Sequence, residues 1–237
     1  MAMHDYLYAI VDRLPRAWCG PLPGIGGAPV EARTVASFLV LRSRIGVVPG
    51  ATPKTLAAHH DVVASAMETE ALLPFRFGTA VPSGEIEAWL MTHAALLRAT
   101  VAKLRGCVEM NVKLLRLELG GARGADPLGD ADSRRTAQLE MLGERLVARA
   151  GIEDWQYRVQ GRGGNVAASV AFLVPRGEVH DFLTRIAPIA SRAGGVAVVP
   201  TGPWPAYSFV PTLGPAVAFD RFSRMEAPGQ TAHRRVS

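Results

Sequence analysis

The order of residues predicts an α+β chain of two domains, the C-terminal one a ferredoxin-like split β-α-β fold. Segments with apolar residues at period two and segments with apolar residues every three to four positions follow one another, and from Cys107 to Pro200 they run β-α-β-β-α-β. With 237 residues and 49% hydrophobic side chains, the chain furnishes core for one large domain or two small ones. The expected N-terminal α+β domain covers residues 1–106 and the ferredoxin-like domain 107–212. A partly flexible tail follows at 213–237, where proline and glycine rise and Arg221 to Ser237 lacks periodicity.

In the first domain, Tyr6-Leu7-Tyr8-Ala9-Ile10-Val11 is aromatic and β-branched and ends at Asp12, which reads as a strand. Pro15, Gly20, Pro21, Pro23, Gly24, Gly26 and Gly27 make a long irregular loop. Residues 31–45 hold two strands, the second near Ser37–Arg44. Thr52 supplies an N-cap and Pro53 a first-turn proline for a helix to about Glu68, with Leu56, His60, Val63 and Met67 on one face. Ala71 to Thr79 is a strand that Pro74 confines to a start or an edge. Ser83 caps a long helix to Leu104, with Ile86, Leu90, Ala94, Leu97, Val101 and Leu104 at helical spacing and Gly106 at its end.

The second domain opens with Val108, Met110, Val112, Leu114 and Leu117 alternating against Glu109, Asn111, Lys113, Arg116 and Glu118, a strand with one polar face. Gly120 to Asp132 is a Gly/Asp linker, and Ser133 to Ala150 a helix carrying Leu139, Leu142, Leu146 and Val147. Trp155–Gln160 and Val166–Val174 form a hairpin around Gly161-Arg162-Gly163-Gly164. Glu178 to Arg192 is a helix with Val179, Phe182, Leu183 and Ile186 inward, followed by strands at Val196–Pro200 and Tyr207–Val210.

Composition narrows the function classes. The net charge of +5 is divided as +2 over residues 1–120 and +3 over 121–237, so there is no concentrated basic patch of the kind nucleic acid requires. Cys19 and Cys107 stand apart with no Cys-x-x-Cys pair, as in an intracellular protein with reduced thiols. The apolar run from Tyr6 to Val11 is too short for a signal-peptide core, and the longest apolar stretch, Val166 to Pro175, is far below a membrane span. A cytoplasmic protein that binds neither membrane nor nucleic acid is expected.

Catalytic and cofactor signals are weak. His59-His60-Asp61 lie on a helix, where neighbouring side chains point about 100° apart, so the two histidines do not readily chelate one ion; one facing inward and one outward is expected. Gly24-Ile25-Gly26-Gly27 leads to no Lys-Ser/Thr, and the second glycine cluster joins two strands. No acid-base-nucleophile set emerges, so no catalytic, cofactor or metal residue is assigned. The candidates are interaction or interdomain residues: Phe75, Arg76 and Phe77, with Arg76 expected on the strand face opposite both rings, and Trp204 and Tyr207, stiffened by Gly202, Pro203 and Pro205.

Taken in order, Tyr6 to Val11, His59-His60-Asp61-Val62-Val63, Leu73-Pro74-Phe75-Arg76-Phe77-Gly78-Thr79, Leu104 to Lys113 and Gly202-Pro203-Trp204-Pro205-Ala206-Tyr207-Ser208-Phe209 resemble the gas vesicle protein F/L family. The matches span residues 6–210, nearly the whole chain. Gly120 to Asp126 departs from the family, which commonly has a Tyr-Leu pair there, and the stretch between Arg44 and Thr52 is short. The resemblance implies two α+β domains, the second a modified ferredoxin fold. It also implies a non-enzymatic accessory or minor structural protein of gas vesicles, whose partners are the small hydrophobic shell protein and other accessory proteins. The competing reading from the residues is a ferredoxin-like small-ligand sensor or enzyme with an interdomain pocket.

Overall fold

The structure, a computed structural model, describes residues 3–15, 18, 22–116, 130–159, 166–190 and 195–213, with the backbone alone at 116 and 130–136. Expectations placed on Cys19, on the Gly120–Asp126 stretch, on Gly161–Gly164 and on the tail from residue 214 lie outside the described residues. Helix and sheet are mixed, and the strands form two antiparallel sheets. The chain divides into two compact units, one running to Val108 and resuming at Trp204, the other running from Glu109 to Pro203. The stretch from Trp204, assigned by sequence to the ferredoxin-like domain, thus groups with the first unit.

In the first unit, strands β1 (His4–Val11), β2 (Glu31–Val35), β3 (Phe38–Ile45) and β4 (Leu72–Pro74) lie in the order β2-β3-β1-β4, and β5 (Ala80–Pro82) also pairs with β1. β1 is central, and Tyr6 to Val11 are each at most 2% exposed because both faces of the sheet are covered. Its pairing with β3 shifts register between Leu7 and Ala9, a bulge at Tyr8 that lets Tyr6, Tyr8, Ala9 and Val11 enter one core cluster. β2 and β3 join through Ala36 and Ser37, both at positive φ (48° and 69°), as the handedness of a two-residue hairpin demands. Neither is glycine, so the turn costs about 1–2 kcal/mol per residue.

One sheet face, with Tyr6, Tyr8, Leu41 and Ile45, packs on Val62 and Val63 of helix α1 (Pro53–Ser65). Thr52 and Thr55 close a reciprocal capping box at its start, with Pro53 in the first turn. The buried helix face differs from the expected one: His59, Val62 and Val63 point inward, whereas Leu56 is 45% exposed and His60 only half-buried. The helix is rotated by about one residue, because His59, not His60, finds buried hydrogen-bond partners. On the opposite face, Phe38 of β3 lies under the Arg98 guanidinium, 5.6 Å from the ring centroid.

Two other expectations are corrected here. The long helix to Leu104 is two helices, α2 (Ile86–Thr92) and α3 (Ala94–Leu104), and Ser83 does not cap it; Glu85 precedes the first turn without a side-chain cap. The break falls at His93, whose Nδ1 donates to the Trp89 carbonyl at 2.8 Å, an acceptor it shares with its own backbone N–H at 3.3 Å, while its ring lies tilted against Trp89, centroids 4.7 Å apart. The Ala71–Thr79 strand is also interrupted. Pro74 ends β4, the chain loops out over 75–79 with Gly78 at φ 86°, and β5 then resumes pairing on the same side of β1.

The second unit runs β6 (Cys107–Arg116), α4 (Asp130–Ala150), β7 (Trp155–Val159), β8 (Val166–Pro175), α5 (Val179–Ala190) and β9 (Val196–Trp204), with sheet order β7-β8-β6-β9. Met110, Val112 and Leu114 of β6, Leu139, Leu142 and Leu146 of α4, and Phe182, Ile186 and Ile189 of α5 share its core. Gly143 in α4 gives passage to a ring: a Cβ built there would stand 2.8 Å from Cε2 of Tyr157. β9 continues past the expected end at Pro200, and Tyr207–Phe209 forms a 3-10 turn closed by Phe209 N–H to the Ala206 carbonyl, not a strand. Among the described residues no helix is long and apolar enough to cross a membrane.

Candidate functional site

The looped-out segment 75–79 is held by a buried polar relay that begins on β1. Tyr6 and Tyr8 are two apart on that strand and so share a face, meeting the turn of α1 that carries His59. His59 Nε2 lies 3.0 Å from the Phe75 carbonyl, which can only accept, so Nε2 carries the proton. Nδ1 then accepts from the Tyr6 hydroxyl at 3.0 Å, and that oxygen accepts the Gly78 N–H at 3.1 Å. Burial holds the His59 pKa down to about 4, partly opposed by its bond to the Phe75 carbonyl, and burial pushes the Tyr6 hydroxyl up. The ring is therefore neutral at pH 7, with both nitrogens engaged and neither free to bind a metal. Among the described residues no group of three or more His, Cys, Asp or Glu is placed to hold an ion.

The relay leaves the turn little freedom. Phe75 N–H donates to the Tyr8 carbonyl, Leu7 N–H to the Thr79 carbonyl, and the Arg76 carbonyl accepts from Thr79 through both its N–H (3.1 Å) and its hydroxyl (2.7 Å). The two phenyl rings part. Phe75 is buried beside Trp89, centroids 6.0 Å apart, while half-buried Phe77 lies 6.2 Å from Tyr6 and 5.8 Å from His59. The expectation that both rings face away from Arg76 on a regular strand is thus replaced by a turn, with Arg76 exposed between two separately anchored rings.

Trp204 and Tyr207 reach the same turn of α1. Tyr207 is half-buried 6.4 Å from the His59 ring, with burial raising its hydroxyl pKa, and Trp204 is 41% exposed with its ring 5.9 Å from His60. Phe77, Tyr207 and Trp204 therefore surround the His59-His60 pair, whereas Phe75 belongs to a different cluster. Tyr6, Tyr8 and His59 escaped the sequence reading as organisers of this site. Their signal was two tyrosines at period two facing a helix with a histidine at its centre.

A parallel relay fixes the loop before β2. Ile25 N–H donates to the Tyr8 hydroxyl at 2.8 Å, that oxygen lies 3.0 Å from Ser43 Oγ, and Ser43 donates to the Pro29 carbonyl at 2.9 Å. Gly24 is required by this approach: a Cβ there would come within 2.2 Å of the Tyr8 oxygen. In the first glycine cluster Gly24 is thus explained by packing, and Gly26 and Gly27 by positive φ (63° and 78°), without phosphate chemistry.

The family profile described as "Gas vesicle synthesis protein GvpL/GvpF" matches residues 5–125 and 129–211. Among solved structures, the chain is similar to the crystal structure of the gas vesicle protein GvpF from Anabaena sp. PCC7120, at 20% identity over 89% of this chain and 97% of that one, TM-score 0.72. It is also similar to gas vesicle protein GvpF from Microcystis aeruginosa, at 18% identity over 90% of this chain and 100% of that one, TM-score 0.69. A search of curated proteins finds none that matches. At these identities the solved structures speak for the fold, while the profile, covering nearly the whole chain, speaks for descent: the chain belongs to the gas vesicle protein GvpL/GvpF family.

Proposed function

We propose that this protein is a non-enzymatic accessory or minor structural protein of gas vesicle assembly, located at the vesicle and in the cytoplasm, that binds the small hydrophobic shell protein together with other accessory proteins. We further propose that it works as an N-terminal α+β domain, residues 1–106, and a ferredoxin-like domain, residues 107–212. The observation that carries the assembly role is the family match over residues 5–125 and 129–211. The first unit supplies surfaces suited to it: β2 ends the sheet with no residue buried, and exposed Arg76, Leu56 and Trp204 stand on anchored backbone. A shell protein that polymerises through apolar sheet needs such a cover before assembly, since exposed edges and apolar patches aggregate. Phe75, Arg76, Phe77, Trp204 and Tyr207 are the residues proposed to present or stabilise that contact surface.

The test is co-expression of the tagged protein with the gas vesicle shell protein of the same organism, scored by capture and by vesicle formation in a strain lacking the gene. Capture of the shell protein together with restored vesicles supports the role. Normal vesicles without the gene and no capture remove it.

A further inference from the structure

The first unit contains a second polar feature that the His59 relay does not use. On the sheet face opposite Tyr6 and Tyr8, a cleft of about 340 Å³ is lined by Arg33, Arg42 and Arg44 together with Asp5, Ser83, Gly84 and Glu87. Three residues of the hairpin between β2 and β3, Thr34, Val35 and Ala36, complete the wall on the side of the sheet edge. Arg42 and Asp5 form an ion pair at which both side chains are at most 3% exposed, and Arg42 also reaches Glu31 at 3.2 Å.

Two observations at Arg42 make this more than a charged surface. A buried ion pair is a poor stabiliser compared with an apolar pair of similar volume, so its presence calls for another reason. Among the described residues Arg42 Nε is buried with no hydrogen-bond partner, a defect that native proteins seldom leave unexplained.

The exposed guanidinium groups of the cleft point to the ligand class. Asp5 is engaged by Arg42 and approached by Arg44 Nε at 3.9 Å, which leaves Glu87 as the other acidic group lining the cleft opposite the exposed guanidinium groups of Arg33 and Arg44. Counting Glu31, which Arg42 also holds, three guanidinium groups stand against three carboxylates, and the attraction for a ligand is local to the exposed Arg33 and Arg44, which face Glu87 and the already paired Asp5. Guanidinium groups are forked donors matched to carboxylate oxygens. Arg33 lies on β2 itself, the terminal strand of the sheet, so a strand laid against β2 brings its side chains beside Arg33.

We propose that the cleft is a carboxylate site and that its occupant is an acidic side chain on an extended segment of the shell protein, added to the edge of β2. The choice of shell protein rests on the assembly role proposed above; the carboxylate chemistry does not.

Two measurements separate these. In the first, succinate is titrated into the isolated protein while arginine Nε–H and backbone amide resonances are followed by NMR. Saturable shifts at Arg33, Arg44 and Ser83, lost in the Arg33→Gln/Arg44→Gln double variant, are expected; shifts that are linear and spread evenly over the surface overturn the carboxylate site. Both arginines are exposed, so the double variant spares the buried Asp5–Arg42 pair. In the second, capture of shell protein is compared between wild type and double variant, with and without succinate. About tenfold weaker capture by the variant, and competition by succinate, are expected. Capture unchanged by both treatments shows that the shell protein does not enter the cleft and overturns the assigned occupant. If the wild type captures no shell protein, the assembly reading and the assigned occupant fail, and the succinate titration still decides the carboxylate site.

Discussion

His59 gives the sharpest stability test because its ring is 3% exposed and both nitrogens are occupied. Its pKa falls from the ordinary 6.5 to about 4 on folding, with burial the leading cause. The sign follows from proton counting. Between pH 6.5 and 4 the unfolded chain holds a proton on this ring and the folded chain does not, so unfolding takes up protons and stability falls as pH falls. The contribution is complete above pH 6.5 and lost on descending to about pH 4. A shift of this size corresponds to about 3 kcal/mol in total, of which about 2 kcal/mol is gone by pH 5. Urea denaturation of wild type and His59→Gln at pH 7 and pH 5 isolates the effect, since other titrating groups are common to both. The wild type should lose about 2 kcal/mol more than the variant between the two pH values. Parallel losses would mean that the ring titrates in the folded state and that the relay from Gly78 to Tyr6 to His59 to Phe75 is not closed.

Other substitutions probe the remaining anchors. Gly143→Ala improves helix propensity by about 1 kcal/mol yet should destabilise the second unit by about 1–3 kcal/mol, because the new methyl meets the Tyr157 ring; thermal melts reading a gain in stability would contradict the packing. Tyr8→Phe leaves the Ile25 N–H without its acceptor and should cost about 1–3 kcal/mol in urea denaturation, and a change below about 0.5 kcal/mol would remove the relay's role. Trp204→Ala should cost only about 1–3 kcal/mol, less than a fully buried tryptophan, because the ring is 41% exposed. Its larger effect should be on shell-protein capture, and undiminished capture with a lowered Tm would make Trp204 structural.

The sequence carried the elements whose signals are local. β1 follows from consecutive aromatic and β-branched residues, α1 begins where Thr52-Pro53 places it, and the β-α-β-β-α-β order of the second unit is that expected from apolar period. What it did not carry are choices made by tertiary partners. Whether His59 or His60 turns inward depends on Tyr6 and the Phe75 carbonyl, 53 and 16 residues away, and the apolar pattern of α1 is shallow enough for either. At the break at His93 the side chain adds a local bond to the Trp89 carbonyl, which no apolar spacing reveals. Phe75-Arg76-Phe77 has the alternation of a strand, but Pro74 and Gly78 force it out of the ladder and send the two rings apart. The arginine cleft was invisible for a related reason: Asp5, Arg33, Arg42 and Arg44 meet only once β1, β2 and β3 are in register.

Hydrogen exchange on the full chain, alone and with shell protein, tests the central claim most directly, because strand addition gives the open amides of an edge strand hydrogen-bond partners, whereas other modes of contact protect other elements. Shell protein is expected to slow exchange along β2, Glu31 to Val35. Protection confined to helices, or none at all beside demonstrable shell-protein binding, would contradict it.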